Sequence, residues 1–174
     1  MKVVIINGKP LSGKDTFVKM CENIYPVILN VSTVDFVKEV AAFCGWNGEK
    51  TPNNRMFLAK LKDLLTEWNN LPMKKINDAI RRFHNNMEGF GYTSDEMVVF
   101  IHCREPEEIT KLVEKYNGRS LLIRRDAVEN AEASNEADKN VFNFEYDDVV
   151  DNNGTLDELQ DKAREYLLSL GVKF

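Results

Sequence analysis

The chain has 174 residues, 43% apolar and 29% charged, with a formal net charge of -5 at pH 7. That is enough for a single domain, residues 1–174, with a proper core. The acidic balance excludes a general nucleic-acid binder, which needs a basic surface, and no apolar run reaches the ~18 residues of a membrane span. The cysteines, Cys21, Cys44 and Cys103, are scattered without CxxC spacing. They read as buried free thiols in a reducing compartment, with neither a disulfide framework nor a zinc site. The N-terminus lacks a signal-peptide layout, so the expected location is the cytoplasm.

Lys2 to Asn7 (Lys-Val-Val-Ile-Ile-Asn) is short, apolar and β-branched, the pattern of a strand buried on both faces. Gly8 to Gly13 is a loop. Lys14 to Asn23 has helical spacing, with Phe17, Met20, Cys21 and Ile24 on one side. A second buried strand is predicted over Val27–Val31. Ser32 or Thr33 caps a helix whose apolar positions are Val34, Phe36, Val37, Val40, Ala41 and Phe43, ended by Gly45. Trp46 to Asn53 reads as a loop. Helices are predicted over Arg55–Trp68, with Met56, Leu58, Leu61, Leu64 and Leu65 on one stripe, and over Met73–Met87.

Met97–Cys103 is the third strand, and Pro106–Lys115 a helix with proline in its first turn. Ser120–Arg124 is the fourth strand. Asp126 to Asn140 is polar and helix-tolerant, and Phe142–Val150 holds a fifth strand. Asn152-Asn153-Gly154 is a turn, after which Thr155 caps a final helix with Leu156, Leu159, Ala163, Tyr166 and Leu167 inward. Buried strands alternating with helices predict an α/β fold of three layers, helices on both faces of a five-stranded parallel sheet. The strand-free stretch from Trp46 to Tyr92 is a helical insertion.

Gly8, Gly13 and Lys14 match GxxxxGK, between a buried strand and a helix. Glycines let backbone N–H groups turn inward around phosphates, and the helix start adds its positive dipole end. Gly8, Lys9, Ser12, Gly13, Lys14, Asp15 and Thr16 are therefore candidate nucleoside-triphosphate contacts, with Lys14 reaching the outer phosphates. Asp15 stands where this motif wants the Ser or Thr that holds Mg²⁺, and it can bind that ion directly or through water. Thr16 is then free to donate to a phosphate. The third strand runs into His102-Cys103-Arg104-Glu105 without an Asp. Asp15 is accordingly read as the metal ligand that takes over part of the missing acid's role.

The ending Gly13-Lys14-Asp15-Thr16 resembles the phosphate loop of phage and bacterial deoxynucleoside monophosphate kinases, within the adenylate-kinase-like group; animal-type phosphomevalonate kinases share a similar loop. Tyr146 to Leu159 is similar to the last strand, turn and helix of nucleotide kinases. The resemblance implies a P-loop NTPase fold. It also implies ATP with Mg²⁺ as donor, an acceptor region over about 32–92, and a short lid over about 124–140. It places the turn with Asn153 beside the nucleotide base.

In such sheets ligands lie outside the carboxyl ends of the strands. Arg104, after the third strand, is either a catalytic ligand of the acceptor phosphate or a partner of Glu105, Glu107 or Glu108. Arg124 and Arg125, after the fourth, are lid arginines; at least one serves the phosphates, the other pairing with Asp126 or Glu129. Arg55 is either an acceptor-phosphate contact or part of a solvated helix face. Asp35 is either a polar contact to the acceptor or a first-turn acid complementing the helix dipole. His84 and His102 read as structural.

The expected activity is ATP- and Mg²⁺-dependent phosphoryl transfer to a nucleoside or deoxynucleoside monophosphate. The alternatives are a kinase of another small phosphorylated metabolite and a nucleotide-binding protein without turnover. The expected partners are small nucleotides, with no nucleic acid or membrane, on a monomer or homodimer.

Overall fold

The computed structural model describes residues 1–49, 51–129 and 140–174. Its strands are β1 (Lys2–Asn7), β2 (Ile28–Ser32), β3 (Val98–His102), β4 (Arg119–Arg124) and β5 (Asp148–Asp151). Its helices, among the described residues, are α1 (Lys14–Ile24), α2 (Asp35–Phe43), α3 (Pro52–Asn69), α4 (Leu71–Gly89), α5 (Pro106–Tyr116), α6 (Asp126–Glu129) and α7 (Leu156–Ser169). All strand pairings are parallel, in the order β2-β3-β1-β4-β5.

β1 is the middle strand, and Val3 to Asn7 are buried throughout. Its alternate side chains serve opposite layers, because successive residues of a strand point to opposite faces. Val4 and Ile6 pack with Phe17 and Val18 of α1 and Leu159, Ala163 and Leu167 of α7. Val3 and Ile5 pack with Ile76 and Ile80 of α4 and Ile109 and Leu112 of α5. Both faces being dry explains why the strand is apolar without alternation. Each large side chain so buried contributes ~1.5–3 kcal/mol. The three-layer α/β sandwich with five parallel strands is thus the architecture predicted, and α2, α3 and α4 form the insertion between β2 and β3.

The edges of the sheet depart from expectation. β2 is only half-buried, because it has a neighbour on one side alone. The fifth strand covers Asp148–Asp151 rather than Phe142–Val150. Upstream of it, Asn140–Phe142 is a single 3₁₀ turn, and Phe144 and Tyr146 stack edge-to-face, 4.9 Å between centroids, against the α4/α5 layer. Asp147 turns back to accept hydrogen bonds from the Ser120 N–H and Oγ, both 2.8 Å, which holds its carboxyl below the usual range.

The cap of α2 is not a Ser32 or Thr33 side chain. Val34 occupies the N-cap, and Asp35 instead accepts from the Ser32 N–H at 2.7 Å. Phe43 and Leu156 point to solvent instead of inward, and α3 buries no residue at all. Cys21 and Cys103 are buried, but Cys44, at the C-cap of α2, is exposed. The polar stretch after β4 is helical over Asp126–Glu129, and the rest of it, 130–139, lies outside the described residues.

Candidate phosphate site

Asn7, His102 and Arg124 end three neighbouring strands, so the loop after β1 opens at the carboxyl edge of the sheet. Gly8 has no room for a side chain: a Cβ there would stand 2.5 Å from Ser12 Oγ and 2.6 Å from the Ile123 carbonyl. Gly13 is the N-cap of α1 at φ 94°, a left-handed conformation that suits glycine, and it packs directly on Asn152. Leu11 also takes a positive φ, 66°, and leaves its side chain 80% exposed. The Ser12 N–H closes a turn onto the Lys9 carbonyl at 3.1 Å. No side chain caps α1, so the first N–H groups of the helix face the loop.

Inside this loop lies a polar anomaly. Ser12 is 1% exposed, and its Oγ has no hydrogen-bond partner among the described residues. A buried hydroxyl without a partner is costly, which makes Ser12 Oγ a candidate donor to an incoming acceptor atom. A phosphate oxygen held against the loop amides would supply such an acceptor.

Around the loop, the predicted residues are distributed as follows. Lys14 is half-buried on the first turn of α1. Lys9 donates to the Glu129 carbonyl and lies 5.5 Å over the Phe142 ring, joining the loop to the two ends flanking 130–139. Asp15 and Thr16 are exposed. Asp15 Oδ1 stands 3.5 Å from His102 Nδ1. Burial holds the His102 imidazole below its ordinary value, with the Asp15 carboxylate pulling it upward.

Arg104 follows β3 and is half-buried, its carbonyl accepting from Asn7 Nδ2 at 3.3 Å. Of the acids weighed as its partners, Glu108 is taken by Lys62, at 2.7 Å, and by the Cys103 thiol, at 3.1 Å. Arg124 Nε donates to Asp151 on the adjacent strand at 2.6 Å, with Glu129 at 3.8 Å; Arg124 and Arg125 are both exposed. Arg55 is half-buried on the first turn of α3. Asp35 is tied into its own turn and pairs with Lys38 at 3.5 Å. Asn153 Oδ1 accepts from the Asp126 N–H at 2.8 Å, so this turn steadies the start of α6.

Three residues that motif reading passed over organise the loop. Asn7 Oδ1 accepts from the Gly8 N–H at 2.8 Å, and its Nδ2 donates to the Tyr146 hydroxyl at 2.7 Å. Tyr146 in turn donates to the Val141 carbonyl at 2.8 Å, and burial raises its phenol to about 12. Asn152 Nδ2 donates to the Ser12 carbonyl at 2.8 Å. The only sequence sign of Asn7 was an amide at the end of an otherwise apolar strand. Asn152 is contiguous with Asn153 and could not be separated from it by spacing.

Among the described residues no group of three or more His, Cys, Asp or Glu gathers to cage a metal. Mg²⁺ commonly keeps several waters and takes one or two carboxylates plus substrate phosphates, and the exposed Asp15 carboxylate at the loop fits that role.

No protein-family model matches the chain, and no curated protein is similar enough to match it. Among solved structures it is similar to the shikimate kinase of Aquifex aeolicus: 12% identity, 97% of this chain and 96% of that one, TM-score 0.46. For the shikimate kinase of Bacteroides thetaiotaomicron the figures are 11%, 98%, 99% and 0.46. For TT1252 of Thermus thermophilus they are 17%, 97%, 97% and 0.44.

Proposed function

We propose that the chain is an ATP-dependent phosphotransferase whose acceptor is a nucleoside or deoxynucleoside monophosphate. The observation that carries the donor half is the buried, unpartnered Ser12 hydroxyl inside a glycine loop at the start of α1. The acceptor half rests on Arg104 at the end of β3, on Arg55 at the start of the insertion, and on the resemblance of the Gly13-Lys14-Asp15-Thr16 ending.

In this reading an oxygen of the acceptor phosphate attacks the γ-phosphorus of ATP. The bond from that phosphorus to the β,γ-bridging oxygen breaks, and ADP leaves. Such transfer needs position and charge neutralisation more than covalent chemistry. The loop amides and Ser12 hold the donor phosphates, and Lys14 balances charge on the moving group. Arg104 grips the acceptor phosphate, and at least one of Arg124 and Arg125, both exposed beyond the fourth strand, serves the phosphates. Mg²⁺, held by Asp15 beside the phosphates, would supply further charge stabilisation.

The test is ADP release from Mg-ATP with a panel of nucleoside and deoxynucleoside monophosphates. One or more acceptors should be phosphorylated, and Lys14→Ala should lower the rate ~100-fold or more while the chain stays folded. ATP binding with no monophosphate turned over would remove the acceptor assignment and leave either another phosphorylated metabolite or binding without turnover. Absence of ATP binding would overturn the whole reading.

A further inference from the structure

Helix α3 carries more apolar surface than the fold covers. Its inner line holds Leu58, Lys62 and Leu65, all half-buried, with Lys62 paired to Glu108 of α5. Around the helix from that line, Phe57, Leu61, Leu64 and Trp68 recur at spacings of four, three and four. That is the a/d repeat of a two-helix seam. Leu61 is half-buried, but Phe57 is 37%, Leu64 62% and Trp68 72% exposed. Three large apolar side chains on one stripe of one helix form a contiguous surface rather than scattered exposure.

We infer that this seam pairs with the same seam of a second copy of the chain, the two α3 helices running antiparallel about a twofold axis. The charges beside the seam select that occupant. Antiparallel pairing that sets Leu61 of each copy against Leu64 of the other also sets Phe57 against Trp68. Lys60 and Glu67 precede Leu61 and Trp68 by one residue and lie on the same flank. Each Lys60 therefore meets Glu67 of the other copy, and the twofold axis makes the ion pair twice. Neither side chain makes an ion pair within its own chain among the described residues. A parallel pairing would set Lys60 against Leu65 and lose both pairs. The 18-residue helix is ~27 Å long, enough for the two layers and their symmetry mates.

Sedimentation velocity on the full chain, over a ~100-fold concentration range, reads the mass directly, since self-association depends on concentration. The expected species is twice the 20.0 kDa chain. Leu64→Lys should give a monomer with unchanged circular dichroism. Lys60→Glu and Glu67→Lys, each alone, should weaken the dimer by about tenfold, because each replaces both pairs by like charges. The double variant K60E/E67K should return to within about twofold of wild type. A wild-type chain that stays monomeric throughout overturns the inference. So does a double variant no tighter than the single ones, or a monomeric wild type whose Leu64→Lys variant loses ATP affinity, which would assign the stripe to ligand.

Discussion

Replacing Ser12 by alanine should make the empty protein more stable and the nucleotide complex weaker. The Oγ is buried without a partner, and such a hydroxyl costs roughly 1–3 kcal/mol of folding free energy. Removing it leaves a void of ~20 Å³, worth about 0.5 kcal/mol at ~24 cal/mol per Å³. The net is a gain of roughly 0.5–2.5 kcal/mol, and at ~2–4 °C per kcal/mol for a chain of this length the unliganded Tm rises by a few degrees. With nucleotide bound the sign reverses. A hydrogen bond from the hydroxyl to a charged phosphate oxygen contributes about 1.5–3 kcal/mol, so its loss weakens ATP about 10- to 150-fold. Thermal unfolding without ligand and calorimetric titration with Mg-ATP measure the two effects separately. A variant that is less stable when empty, yet binds ATP as wild type does, would refute the reasoning, because the hydroxyl would then serve the fold alone.

Tyr146→Phe keeps the ring against Phe144 but deletes the acceptor for Asn7 and the donor to Val141, so the urea midpoint should fall by an amount equivalent to ~1–3 kcal/mol. A midpoint unchanged from wild type would show that the Asn7–Tyr146 bond carries no net stability. Asp147 is held by Ser120 below its unfolded value, so its contribution is present above that value and is lost as pH falls through the folded one. Asp147→Asn should therefore flatten the acid limb of a stability–pH curve, and an unaltered acid limb would contradict it. Of the three thiols, Cys44 should react with a thiol reagent in the native protein. Cys21, raised to about 12 by burial, and Cys103, also raised by burial and bonded to Glu108, should react only after denaturation.

How legible the fold was depended on how local its causes are. The central strand announced itself because both of its faces are dry, and the glycine loop because Gly8 and Gly13 have backbone reasons that no other residue meets as well. The edges were less legible. Phe142 to Tyr146 has strand-like composition, yet its aromatic rings pack on the α4/α5 layer and leave the ladder, a choice made by neighbours distant in sequence. Helix α3 shows the same limit: its apolar stripe is plain in the sequence, but nothing local says that the fold covers only one side of it.

The site divides along the same line. Local sequence determined the strand, the glycine loop and the helix start, because turn geometry and helix dipoles act over a few residues. The tertiary structure alone decided which of two adjacent residues serves the loop. Asn152, not Asn153, reaches the Ser12 carbonyl, and Arg124, not Arg125, is bound by Asp151. Those choices follow from parallel strand register, which sets Arg124 opposite Asp151 across 27 residues of chain, and no spacing rule within either segment encodes it.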